Sequence, residues 1–184
     1  MKKIIDFIKE NSGIVVKLII NHIAMSIFGI IVLVTASGIA KWLFYTAAVV
    51  SILMYMFLIY MVMWEEGSKD KVRVDGGRIK ANRLYGLYVS LIYNSLFILI
   101  AIVIFILSFF TTQGSVTAVN NVYGMLKIIS HYLMGMYLGV TSRLPYDFIY
   151  LIIIVPSILC STLSYLSGLS GMKCLFPDKK KKKK

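Results

Sequence analysis

The 184-residue chain is poor in charge: only 15% of its residues are Asp, Glu, Lys or Arg, where a soluble domain carries about a quarter. Acidic residues are the scarcest, eight against twenty Lys and Arg. Cysteine is limited to Cys160 and Cys174, which excludes a secreted scaffold held by disulfides. On one helix the two would lie ~21 Å apart, beyond the reach of a disulfide. Neither has a second Cys or a His at metal-ligand spacing, so no zinc site and no cofactor are expected. The eight carboxylates (Asp6, Glu10, Glu65, Glu66, Asp70, Asp75, Asp147 and Asp178) all fall outside the long apolar runs. That placement argues against proton-coupled transport, which needs a titrating acid within the membrane. It also excludes a paired-carboxylate active site there.

What fills the chain is apolar: 59% of residues are hydrophobic and mean hydropathy is +0.82. This is the composition of an all-α, polytopic membrane helix bundle, not of a soluble or a disordered protein. A helix needs about 20 apolar residues to cross the hydrocarbon, and four runs qualify: residues 14–36, 42–64, 85–110 and 148–170. Trp42 and Trp64 bracket the second, as interfacial indoles do. A fifth stretch, 122–141, is long enough but carries Gly124, Lys127, His131, Gly135 and Gly139 as a weakly polar stripe. The expected architecture is therefore four transmembrane helices plus an outer interfacial or re-entrant helix, with five spans as the alternative.

Charge placement favours four. With both termini inside, all Lys and Arg except Lys41, Lys127 and Arg143 fall on one side, as the positive-inside rule asks. The preference rests on the run Lys179–Lys184; without it the two layouts balance. The same rule is the better explanation of the basic clusters, so no nucleic acid partner is expected, although concentrated Lys and Arg can neutralise phosphate.

The chain then divides into a cytoplasmic interfacial helix at 1–13, a bundle at 14–172 and a polybasic cytoplasmic tail at 173–184. The bundle includes a cytoplasmic basic loop at 65–84 and an outer segment at 111–147. Val34-Thr35-Ala36 looks like a signal cleavage site, but the preceding run is too long, and with Lys17, Asn21 and His22 too polar, for that role. Within the basic loop, alternation around Asp75-Gly76 suits a β-hairpin with a type I′ turn, with a plain extended loop as the equal alternative.

Two places could carry function. At 1.5 Å per residue, His22, Tyr55, Asn94 and Ser161 all lie ~12–13 Å from the inner boundary, with Lys17 below them. One reading is a polar pocket for a small ligand or lipid head group. The other is interhelical hydrogen bonding, at ~0.6 kcal/mol per bond, with Lys17 snorkelling to the interface. The second place is the loop, whose Lys69, Lys71, Arg73, Arg78, Lys80 and Arg83 can contact anionic lipid head groups or a cytoplasmic or membrane protein partner. The final span carries small residues at four-residue spacing (Ser157/Ser161, Ser164/Gly168, Ser167/Gly171), which serve close helix packing or a homodimer seam.

Gly168-Leu169-Ser170-Gly171 matches the short pattern around the nucleophile of rhomboid-type proteases. No later helix brings a His to Ser170, so catalysis is not expected. The sequence reads as a small, non-enzymatic integral protein of a bacterial cytoplasmic membrane, acting as an accessory, scaffold or partner-binding subunit. A transporter component or ligand-binding membrane protein using the polar layer is the alternative.

Overall fold

The computed structural model describes residues 7, 9–111, 117–144, 146–172 and 174. It is all-helical among those residues: α1 (Ser12–Ser37), α2 (Lys41–Asp75), α3 (Tyr85–Thr111), α4 (Thr117–Leu133), a 3₁₀ turn (Gly135–Tyr137), α5 (Leu138–Thr141), α6 (Ile149–Ile152) and α7 (Val155–Leu169). Four helical units are long and apolar enough to cross a membrane: α1, α2, α3 and the pair α6–α7 taken together.

Their surfaces are inverted relative to a soluble protein. Ile20, Ile27, Ile31, Leu53, Leu96 and Leu99 stand exposed, while Ser26, Ser51, Ser90, Asn94, Ser157 and Ser161 are buried. Apolar side chains lose nothing by facing lipid, whereas small polar ones let helices approach and bond.

The start of α1 and the finish of α7 share one end of the bundle. There the Tyr85 hydroxyl donates to Asn11 Oδ1 at 2.6 Å and Lys71 lies 3.5 Å from the Ser170 carbonyl. We call this the near end. The tight turn between α1 and α2 lies at the far end, where Arg143 stacks 4.9 Å from the Tyr45 ring.

The 122–141 stretch is not a fifth span. α4 leaves the far end, reaches the level of His22 and stops at Leu133; the 3₁₀ turn and α5 then lead back to Arg143. It is a re-entrant hairpin. The sequence allows the return because glycine at 135 lets the chain cross α1 almost in backbone contact. A Cβ placed there would come 2.2 Å from the Ser26 carbonyl oxygen, and one on Gly29 would come 2.5 Å from Met136 Cα.

The β-hairpin expected near Asp75-Gly76 is also absent, because α2 continues as helix to Asp75. Local ion pairs decide it: Lys69 binds Glu65 at 2.8 Å and Glu66 at 3.5 Å, and Arg73 binds Asp70 at 3.0 Å. Pairs at three- and four-residue spacing favour helix, and they outweigh the weak strand alternation. The loop expected at 65–84 therefore shrinks to the residues after Asp75. At about 1.5 Å per residue α2 is ~52 Å long, so it must project well beyond a ~30 Å hydrocarbon core.

Pro156 sits in the first turn of α7, just after a helical break at Ile153–Ile154. Ser157 Oγ donates to the Ile154 carbonyl at 2.8 Å, alongside the backbone N–H groups of Ser157 and Ile158 that the same oxygen accepts, so the hydroxyl is satisfied inside its own helix. Of the expected interfacial helix, Phe7, Lys9 and Glu10 are helical, and Phe7 packs edge-on against Tyr85 and Tyr88. Residues 1–6 and 8 of that segment lie outside the described residues, as does the tail apart from Cys174.

Candidate functional site

A helix that ends inside hydrocarbon leaves carbonyls without partners, and such backbone persists only where protein satisfies it. α4 ends this way, and α1 provides the remedy. His22 Nε2 lies 3.0 Å from the Leu133 carbonyl oxygen, and Ser26 Oγ donates to the same oxygen. Since a carbonyl can only accept, His22 carries its hydrogen on Nε2. Nδ1 is then free to accept from the Tyr55 hydroxyl at 2.8 Å. The ring is further fixed by stacking on Phe97, 3.9 Å between centroids at 23°. His22 thus links α1, α2, α3 and the re-entrant tip.

The predicted layer is only partly assembled. His22 and Tyr55 meet directly, but Asn94 bonds elsewhere: its Nδ2 donates to the Ser90 carbonyl at 2.9 Å, and its Oδ1 accepts from Ser157 at 3.5 Å. Ser161 is one turn away, 3.5 Å from the Gly86 carbonyl, so Ser157 takes the place expected of it. Depth counted from the edge of each apolar run misses this because it does not fix how far neighbouring helices are offset along one another, and Gly86 takes Ser161 as its neighbour instead. Lys17 is exposed, outside the buried layer. Tyr93 and Tyr137 were not anticipated; both hydroxyls are buried beside the layer without a hydrogen-bond partner among the described residues. Close packing around Gly135 and the full coordination of His22 make this layer a structural joint first.

A second polar cluster holds the re-entrant hairpin at its far-end side. Lys127 binds Asp147 at 2.8 Å, Tyr123 donates to the same carboxylate at 2.6 Å, and Lys127 also bonds the Tyr123 hydroxyl at 2.8 Å. His131 Nδ1 donates to the Lys127 carbonyl at 2.7 Å, with the Tyr150 ring edge-on to it. Twenty residues separate Lys127 from Asp147 in the chain, and only the helix-and-return path of the segment brings them together.

The near end presents a different surface. Here α2 packs along α7 more extensively than any other pair of elements does. The approach needs Gly67 and Gly168, where an added Cβ would lie 2.2 Å from the Tyr165 oxygen and 2.3 Å from the Trp64 oxygen. Ser157, Ser161, Ser164 and Gly168 are all buried within this chain, so those small residues serve packing inside one bundle. Asp70 is buried, accepting from Tyr165 at 2.9 Å and from Arg73 at 3.0 Å. The pocket around it, about 350 Å³, is also lined by Asn11, Glu66, Lys80 and Tyr85.

Of the six cations expected to meet a lipid or partner, two are thus already neutralised: Lys69 by Glu65 and Glu66, and Arg73 by Asp70. Lys71, Arg78, Lys80 and Arg83 pair with no acid among the described residues, and Arg78, Lys80 and Arg83 are exposed. The excess positive charge at this end therefore sits on the short loop after the helical projection, with Arg78, Lys80 and Arg83 and no acid. No cluster of three or more His, Cys, Asp or Glu suited to a metal occurs among the described residues. Compared with protein-family models, curated proteins and solved structures, the chain matches none of them.

Proposed function

We propose that the protein is a non-catalytic membrane scaffold or accessory subunit that receives a partner protein with an acidic surface at its near end. The observation that carries this is α2's extension beyond the membrane. Ion pairs along α2 and contacts with α7 hold a rigid projection, and the unpaired Arg78, Lys80 and Arg83 lie just after it. Rigid presentation lowers the ordering cost of docking, and complementary charge speeds and orients encounter.

Ile79, exposed between Arg78 and Lys80, is the position to interrogate. A photo-crosslinking amino acid there is expected to give a discrete adduct at low salt. Combined Arg78→Glu and Lys80→Glu substitution should lower its yield ~10-fold or more, as expected when charge complementarity is reversed. An absence of adduct at every salt concentration, or an adduct indifferent to charge reversal, refutes the reading.

The near end is proposed to face the cytoplasm of a bacterial cell, on the positive-inside rule. Cys174 lies at that end, 3.8 Å from Met61 Sδ, and Arg143 lies at the other. An impermeant maleimide should label Cys174 only after cells are opened, and Arg143→Cys in intact cells. The opposite pattern reverses the orientation.

A second reading, a transport or small-ligand component, is favoured by the unpartnered Tyr93 and Tyr137 hydroxyls beside the re-entrant tip. A solute whose binding is lost in Tyr93→Phe while the melting temperature stays unchanged would promote it.

A further inference from the structure

Next to the Asp70 pocket, and sharing Val74 with it, lies a groove of about 580 Å³, within the range of ligand sites. Its walls divide by chemistry. Lys71, Arg83, Ser167 and Ser170 gather toward the near end, together with Asp75, while Leu163 and Leu166 line it toward the membrane interior. Leu163 is 61% exposed, so the apolar wall continues onto the surface that faces lipid. From Ser170 to Leu163 the helix runs ~10 Å inward, enough to pass from head-group level into the acyl region.

Lys71 is placed in this groove by a specific backbone feature. Gly171 has φ +76, and a Cβ there would come 1.9 Å from Lys71 Nζ, so the ammonium rests on a glycine in the left-handed region. Lys71 is also 3.5 Å from the Ser170 carbonyl, a weak anchor that leaves donors free. Arg83 pairs with no acid among the described residues. Asp75 offsets one of the two cations, leaving the groove net positive.

The geometry points to a binding site for one anionic phospholipid, its phosphodiester held by Lys71 and Arg83 and one acyl chain laid on Leu163 and Leu166. Arginine offers the planar fork that fits phosphate oxygens, and the lysine serves as a point charge. The serine hydroxyls can donate to a glycerol head group. The site shares Arg83 with the scaffold reading but needs no partner protein and uses neither Arg78 nor Lys80, so the two fail independently.

The test uses the full chain in an uncharged maltoside detergent with three probes: dioleoylphosphatidylglycerol, dioleoylphosphatidylcholine and glycerol 3-phosphate. Native mass spectrometry counts retained lipid, and thermal unfolding reads stabilisation. One phosphatidylglycerol per chain should be retained, with a rise in melting temperature, and phosphatidylcholine should be retained ~10-fold less. Glycerol 3-phosphate should shift nothing, because it lacks the chains. Arg83→Gln, a substitution at an exposed side chain, should weaken phosphatidylglycerol ~5-fold, and Lys71→Gln with Arg83→Gln should bring it to the phosphatidylcholine level. Lys69→Gln, on the same helix but paired with its own acids, should leave retention unchanged. Equal retention of the two lipids overturns the proposal, as does wild-type retention in folded Arg83→Gln. A saturable shift with glycerol 3-phosphate also overturns it, by showing a site for the free anion.

Discussion

Gly168→Leu is expected to prevent the bundle from assembling. At this position α7 crosses α2 with almost no side chain between the backbones: an added Cβ alone would lie 2.3 Å from the Trp64 oxygen and 2.8 Å from the Ser68 nitrogen. Neither atom is the mobile end of a side chain, so the helices themselves would have to separate. Separation would pull apart the most extensive helix pair in the molecule, together with the Trp64 indole bond to the Met172 carbonyl and the Tyr165–Asp70 bond. Overpacking ordinarily costs about 1–3 kcal/mol, and a leucine meeting backbone belongs at or above the top of that range. Gly67→Leu should behave alike, since its Cβ would sit 2.2 Å from the Tyr165 oxygen. Gly124 is the internal control: nothing lies within 4 Å of a Cβ there, and Gly124→Leu should stay within about 0.5 kcal/mol of wild type. Size-exclusion profiles and melting temperatures in detergent decide the matter. A monodisperse Gly168→Leu with the wild-type melting temperature would refute the α2–α7 packing described above.

The second large effect is a non-additive one at the re-entrant tip. Two α1 side chains bond the Leu133 carbonyl, so either alone can keep it satisfied. His22→Phe keeps a ring against Phe97 but removes one of those bonds and leaves the Tyr55 hydroxyl without its acceptor. Ser26→Ala removes the other. Each single change is expected to cost about 1 kcal/mol, near the range of interhelical hydrogen bonds in membranes. The double variant leaves a carbonyl buried and bare, a penalty of about 1–3 kcal/mol beyond the lost bonds. A double-mutant cycle in thermal or denaturant unfolding should therefore show the pair losing more than the sum. Strict additivity would mean that the tip is held by something else. The same variants separate the two readings of the polar layer: impaired assembly marks a joint, whereas an assembled protein that loses a solute marks a pocket.

Much of the architecture was legible because hydrocarbon thickness is a blunt ruler. Runs such as 85–110 can only be spans, and the observed α3 (Tyr85–Thr111) differs from that run at one terminus only. The re-entrant hairpin was visible as an ambiguity. Glycines at three- and four-residue spacing marked 122–141 as unusual, but Gly124 meets nothing while Gly135 touches α1 backbone, and spacing cannot tell them apart. The basic segment was misread where short-range and local signals conflict. Alternation around Asp75 favours strand, yet Glu65, Glu66, Lys69, Asp70 and Arg73 stand at helical spacing, and those contacts win.

Within the layer, His22 and Tyr55 meet at the level that counting along the runs expects. Ser157 was missed in favour of Ser161 because counting along each run alone cannot tell how the helices are offset against one another: Ser161 meets the Gly86 carbonyl and Ser157 meets Asn94. The Lys127–Asp147 pair was out of reach for another reason: it exists only once the hairpin has folded back, and nothing in linear order brings the two together.

The capped end of α4 also bears on how the protein is made. Chains enter the membrane from the N-terminus, so α1, bearing both groups that receive Leu133, is already in the bilayer when α4 emerges from the ribosome. The hairpin therefore has a docking template waiting for it and is never obliged to survive alone in lipid. Moving α1 behind α7 by circular permutation would remove that template at the moment it is needed. The order of the helices along the gene is thus part of the folding information, alongside the residues themselves.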